Sequence, residues 1–170
     1  MGEGVIMENK YSLDLPYPEL QGPFYAGDVK CIVDDYCGRN GEMSAVMHYL
    51  YQHYITAESN ERLSKALLGL ALVEMRHHQL LGKAIAKMGG DPIIAGSCCY
   101  WSGAYVNYVK NPIAFLQHDI MTEKIAIANH SKAATCVKNP TLSELMLRIV
   151  KDEELHLTIL KELLDELTAQ

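Results

Sequence analysis

Two short motifs of one form carry the chemistry of this sequence: Glu74-x-x-His77 and Glu153-x-x-His156. On a helix, residues three apart point to one side, so a carboxylate and an imidazole at that spacing can reach one ion. A single such pair means little, because glutamate favours helices and an i, i+3 partner of histidine usually sits on a solvated face. Both pairs here fall on apolar stripes. Leu63, Leu67, Leu70, Glu74, His77, Leu81 and Ile85 step by three or four, and so do Leu142, Leu145, Ile149, Glu153, His156, Leu160, Leu163 and Leu167. A charged carboxylate on the core side of a helix is costly unless something compensates it, and a metal cation is the natural compensation.

Each motif is preceded by a lone glutamate on an earlier apolar stripe. Glu42 heads Glu42, Ala45, Val46, Tyr49, and Glu123 heads Glu123, Ala126, Ile127, His130, so the two halves of the chain repeat one pattern. Four carboxylates balance two divalent ions and leave a neutral cluster that a low-dielectric core tolerates. The mixed oxygen and nitrogen donors suit iron or manganese, whereas structural zinc prefers four ligands, often thiolates. The expected ligands of two iron (or two manganese) ions per chain are therefore Glu42, Glu74, His77, Glu123, Glu153 and His156. Around them, either Asp119 or Asp152 can accept the free ring N–H of His77 or His156, with Asp119 the favoured of the two and a plain salt bridge an equal alternative for it. Tyr49 and His130 occupy equivalent places in the repeat. Each can donate to a ligand carboxylate, or be a core polar group satisfied elsewhere. His48, His53, His78 and His118 read as surface or packing residues.

These side chains must be positioned by helices. Residues 1–27, with Pro16, Pro18, Gly22 and Pro23, read as an extended arm laid on the surface, without a part in the chemistry. Residues 28–37 suggest a short helix ending at Gly38 to Gly41. The first bundle helix then runs from Glu42 to about Ala57, and the second is capped by Asn60 and stopped by Gly89, Gly90 and Pro92. Residues 90–111, with Tyr100, Trp101, Tyr105 and Tyr108, form a long connection whose aromatics serve packing. Asn111-Pro112 opens the third helix, which carries Leu116, Asp119, Ile120, Glu123, Ala126, Ile127 and His130 on one face until Asn139-Pro140 stops it. A capping box from Thr141 to Glu144 opens the fourth. The expected fold is all-α: a four-helix bundle over 42–170, with a long crossover between its second and third helices. An N-terminal arm and short helix over 1–41 complete a single domain.

Composition narrows the function. A net charge of -6 on 170 residues, with no cluster of Lys and Arg, argues against a nucleic-acid partner. The N-terminus lacks a basic region followed by an apolar stretch, and no apolar run reaches the roughly 18 residues of a membrane span, so a cytoplasmic protein is expected. The five cysteines, Cys31, Cys37, Cys98, Cys99 and Cys136, form no CxxC pair, which argues for free thiols and against a disulfide framework or a rubredoxin-type site. The adjacent Cys98 and Cys99 can be redox-active, although free cysteines are usually inert.

The whole pattern, over residues 42–160, resembles the ferritin-like superfamily of dinuclear carboxylate proteins, in which two helices give one glutamate each and two give E-x-x-H. Gly41-Glu42-Met43 leading into Met47-His48-Tyr49-Leu50-Tyr51-Gln52 is similar to manganese catalases and their spore-coat relatives. The full six-ligand set is similar to bacterioferritins and rubrerythrins. The resemblance implies bridging carboxylates at Glu74 and Glu153, terminal ones at Glu42 and Glu123, and histidine ligands at His77 and His156. It further implies an oxidoreductase acting on hydrogen peroxide or dioxygen, of peroxidase, catalase or ferroxidase type, assembled as a homo-oligomer of at least two chains. The alternatives are an iron-storage protein taking up Fe(II), and a structural or coat protein that holds metals without turnover. The chain departs from rubrerythrin in lacking the four-cysteine iron site and an extra glutamate beside Glu123, where Ala126 occupies the next turn. It departs from manganese catalase in being shorter and in offering Glu153 as a sixth ligand.

Overall fold

Asparagine side chains start three of the four long helices. Asn60, Asn111 and Asn139 accept the backbone N–H of Leu63, Ala114 and Leu142, each satisfying a donor that the first turn leaves without a partner. Pro112 and Pro140 follow their caps directly, where a missing N–H costs nothing. The expected capping box from Thr141 does not form, because Asn139 already caps the helix two residues earlier; the Thr141 hydroxyl donates to the Asn139 side chain instead.

The computed structural model describes residues 10–169. A single 3-10 turn leads into α1 (Val29–Cys37), followed by α2 (Glu42–Thr56), α3 (Glu61–Lys87), α4 (Pro112–Cys136) and α5 (Pro140–Thr168). Among the described residues there is no strand, only the isolated bridge between Ala95 and Tyr100. None of the described helices is long and apolar enough to cross a membrane. Short links make hairpins of α2 with α3 and of α4 with α5, and these pairs form the most extensive contacts of the bundle. Gly89, with φ of 80°, takes the left-handed position that ends α3 and releases the chain into the long connection.

The core has two apolar clusters. One gathers Ile32, Tyr36, Leu81, Ile85, Leu145, Met146 and Ile149; the other gathers Tyr49, Leu63, Leu67, Leu70, Phe115, Leu116, Leu160 and Leu163. In α3 and α5 the Glu-x-x-His pair lies in sequence between the residues of the two clusters, so the polar groups occupy a layer with apolar packing on either side. A fully buried Leu or Phe contributes about 1.5–3 kcal/mol, and these clusters are what hold the layer closed.

Two further expectations are overturned by the fold. The arm is not confined to the surface: its residues 1–9 lie outside the described part, but Tyr11 is buried against the second cluster. Its ring passes so close to Gly69 that a Cβ there would lie 2.1 Å from it, which only glycine permits. Arg148 donates to the carbonyls of Leu13 and Leu15, and Asn139 to those of Gln21 and Pro23, so the arm is clamped along α5. Nor are all five cysteines free. Cys31 and Cys136 form a disulfide between α1 and the end of α4, beside the Asp28 carboxylate that accepts the N–H groups of Lys138 and Asn139. The sequence separation of 105 residues hides this pair, whose Cα atoms the fold brings to 5.8 Å. Replacing both cysteines by serine is expected to lower unfolding free energy by about 2–4 kcal/mol in urea denaturation. An unchanged midpoint would contradict the cross-link.

Candidate metal centre

Helical period brings the six acidic and imidazole side chains into one layer. Glu42 opens α2, Glu74 and His77 sit midway along α3, Glu123 midway along α4, and Glu153 and His156 on α5, all of them buried. Glu74 and Glu153 each face both histidines. His77 Nδ1 lies 3.4 Å from Glu74 Oε2 and 3.0 Å from Glu153 Oε1, while His156 Nδ1 lies 2.8 Å from Glu74 Oε1 and 2.9 Å from Glu153 Oε2. The ligand-type atoms form two groups, each within 4.8 Å: Glu42, Glu74, His77 and Glu153 on one side, and Glu74, Glu123, Glu153 and His156 on the other. Glu74 and Glu153 belong to both.

The outer faces of the histidines are held separately. His77 Nε2 meets Asp152 Oδ2 at 3.1 Å, and His156 Nε2 meets the backbone carbonyl of Tyr11 at 2.9 Å. Both rings therefore direct Nδ1 inward. Asp152 also accepts from the Tyr17 hydroxyl and the Leu13 N–H and forms an ion pair with Arg148. Burial opposes its charge, yet these donors hold its carboxyl well below the usual range. Asp119, the favoured acceptor on sequence grounds, is not near either ring: it takes a hydrogen bond from Gln52 Nε2 and lies beside His118. Tyr49 and His130 cross between the hairpins. The Tyr49 hydroxyl of α2 donates to Glu123 of α4, and His130 Nε2 of α4 lies 3.1 Å from Glu42 Oε1 of α2.

Besides Tyr17 and Arg148 at Asp152, other contributors carry no chemical signal in the sequence or only a faint one. The Tyr11 carbonyl is backbone and leaves no trace in residue type. Asp35 of α1 lies 3.4 Å from His130 Nδ1, also without a signal. Gln52 had one, since it continues the stripe Glu42, Ala45, Tyr49 by one more step. His48 is buried as well, its Nε2 3.2 Å from the Tyr105 carbonyl. With Ser44, Ala45 and Ala126 it lines a cavity that reaches Glu42, Glu74, Glu123 and Glu153. The small side chains of Ala45 and Ala126 leave that space open.

Residues 39–164 match the family model for rubrerythrin. The chain belongs to the rubrerythrin family. Its fold is shared with the manganese catalase KatB from Anabaena, with a TM-score of 0.83 at 18% identity over 91% of this chain and 78% of that one. The Desulfovibrio desulfuricans bacterioferritin, described with a diiron site, gives 0.71 at 19% identity over 96% and 84%. The Rhodobacter capsulatus bacterioferritin, solved with a metal-free dinuclear site, gives 0.71 at 17% over 82% and 84%. A search of curated proteins gave no match.

In this rubrerythrin-family chain the residues fit metal ions on their own chemistry. Glu42 Oε1, Glu74 Oε1, both oxygens of Glu153, and Nδ1 of His77 and His156 are buried without a hydrogen-bond partner among the described residues. They sit at ion-pair distance yet are not aimed at one another, as atoms converging on a common cation are. An orphaned buried polar group costs about 1–3 kcal/mol, more when charged, and metal ions would satisfy six such atoms in one layer at once.

Without metal, protons must do the compensating. Burial and the charge of Glu74 push Glu42 up to about 7, and burial with the charges of Glu153 and Glu74 raises Glu123. Burial disfavours charge on His77 and His156, but the surrounding carboxylates outweigh it and raise both. Raised values mean that the metal-free cluster retains protons near neutral pH, and metal must displace them. Loading is thus expected to release protons in weakly buffered solution and to tighten as pH rises from about 6 to 8, checked by indicator dye and metal titration. Affinity independent of pH would contradict this.

Proposed function

We propose that this protein is a dinuclear oxidoreductase acting on hydrogen peroxide or dioxygen, with two iron or two manganese ions held by the six residues of the layer. One observation carries the reading: Glu74 and Glu153 each present one oxygen toward each inward-facing histidine nitrogen, the arrangement of a pair of bridging carboxylates. Glu42 and Glu123 would then serve as terminal ligands, one in each group. When bound, the metal pair supplies the redox change that peroxide or dioxygen reduction requires.

The protein's own groups set the conditions. Asp152 and the Tyr11 carbonyl fix His77 and His156 in the tautomer that leaves Nδ1 free to ligate. Tyr49 donates to Glu123 and so steadies one terminal carboxylate. His130 stands between Asp35 and Glu42; burial works against its charge, but the two carboxylates raise its pKa well above the ordinary value. Its Nε2 thus faces the Glu42 carboxylate at 3.1 Å, on the wall of the cavity. The apolar clusters on either side keep bulk water from the layer.

Protein loaded with either metal is expected to contain about two ions per chain and to consume peroxide, and Glu74→Ala with Glu153→Ala to lose both the metal and the activity. Metal content by plasma mass spectrometry, read beside peroxide loss, decides this; less than about half an ion per chain would refute the reading. Access through the cavity gives a second test. Ala126→Phe should keep the metal and lower kcat/KM for peroxide about tenfold, equal to about 1.4 kcal/mol in the barrier. Unchanged kcat/KM would place the route for peroxide elsewhere.

A further inference from the structure

The long connection carries an exposed dithiol that the metal layer does not use. Gly96 N–H donates to the Cys99 carbonyl and Trp101 N–H to that of Ile94, around the bridge of Ala95 with Tyr100, so Cys98 and Cys99 lie on a tight hairpin tip. The hairpin is pinned to α1, where the Asp34 carboxylate accepts from both the N–H and the hydroxyl of Ser97. Both thiols are exposed and free, with their sulfurs 3.2 Å apart. The Tyr105 hydroxyl lies 3.0 Å from Cys99 Sγ. That contact, with Cys98 assisting, lowers the Cys99 pKa and makes it the readier thiolate.

The same segment reaches the metal layer. The Tyr105 carbonyl meets His48 Nε2 at 3.2 Å, and Trp101 Nε1 donates to Ser44 Oγ at 2.9 Å. The Trp101 and Tyr105 rings pack edge to face, and both His48 and Ser44 line the cavity that opens on the ligand carboxylates. A continuous series of contacts thus joins an exposed sulfur to the cavity wall.

We propose that Cys98 and Cys99 form a two-electron redox site that passes reducing equivalents from an external thiol reductant to the metal layer. In the forward step the two thiols become a Cys98–Cys99 disulfide, releasing two protons and two electrons; with these, one hydrogen peroxide is reduced at the metal layer to two waters. The disulfide is then opened by two thiols of the reductant through a mixed disulfide, leaving the reductant oxidised and the dithiol restored. Adjacent Cα atoms lie about 3.8 Å apart, nearer than the roughly 4.4–6.8 Å of ordinary disulfides, so the bond closes under strain and is readily reduced. That suits a transfer site and not a structural cross-link.

The proposal rests on the dinuclear reading, and one experiment separates the two. Metal-loaded protein with Cys98 and Cys99 reduced and the Cys31–Cys136 disulfide intact receives one equivalent of hydrogen peroxide, is quenched in acid and alkylated, and the Cys98–Cys99 peptide is weighed alongside that of Cys37. Cys37 is a buried thiol that burial pushes up to about 11, and it serves as the unreactive control. The expected result is one Cys98–Cys99 disulfide per peroxide consumed, formed at least about tenfold faster than in metal-free protein carrying Glu74→Ala and Glu153→Ala. Peroxide consumed while both residues stay alkylated overturns the relay and leaves the metal reading intact. Disulfide formation as fast without metal shows that the thiols react alone and also overturns it. No peroxide consumed by the loaded protein removes the dinuclear reading and the relay together.

Discussion

Everything in this structure answers to one electrostatic problem, a layer of carboxylates and imidazoles closed between two apolar clusters. Glu42, Glu74, Glu123 and Glu153 are all at most 3% exposed, so solvent does nothing for their charge. In such surroundings charge has to be met by an ion, a proton or a donor, and the layer offers the donor set for an ion beside its own hydrogen-bond donors. Protons meet it when the layer holds no metal, which is why Glu42, Glu123 and both histidines shift upward together. Divalent cations would meet it better, because they would also satisfy the atoms left without hydrogen bonds.

The surrounding architecture follows from keeping that layer in register. Asp152 is fixed by Arg148, Tyr17 and the Leu13 N–H, and through it the chain fixes His77. The arm reaches the opposite end of the same layer by giving the Tyr11 carbonyl to His156, so clamping the arm on α5 and orienting His156 are one event. Crossed contacts, Tyr49 to Glu123 and His130 to Glu42, join the two hairpins at the point where their charges are most concentrated. The Cys31–Cys136 disulfide holds α1, and with it Asp35, against the end of α4.

Residue type and helical period made much of this legible beforehand. The two E-x-x-H pairs stood where leucine belonged, and the lone glutamates repeated the pattern, so the four helices, the long connection and the meeting of six side chains could be read directly. What stayed hidden depends on direction or on distant contact. Asp119 shares a stripe with Glu123 but lies one turn, about 5.4 Å, along the axis, where it meets Gln52; Asp152 lies beside Glu153 and faces α3. Thr141 had the composition of a cap, yet Asn139 ahead of proline is the stronger start. A backbone carbonyl such as that of Tyr11 has no sequence signature, and a disulfide across 105 residues cannot be paired from spacing.

The central claim, two ions sharing Glu74 and Glu153, is tested most directly by anomalous diffraction at the iron and manganese edges from crystals of metal-loaded protein. The account predicts two anomalous peaks about 3.5–4 Å apart, bridged by both carboxylates, each bound by Nδ1 of one histidine. A single peak, or two peaks with either glutamate turned away, would contradict it.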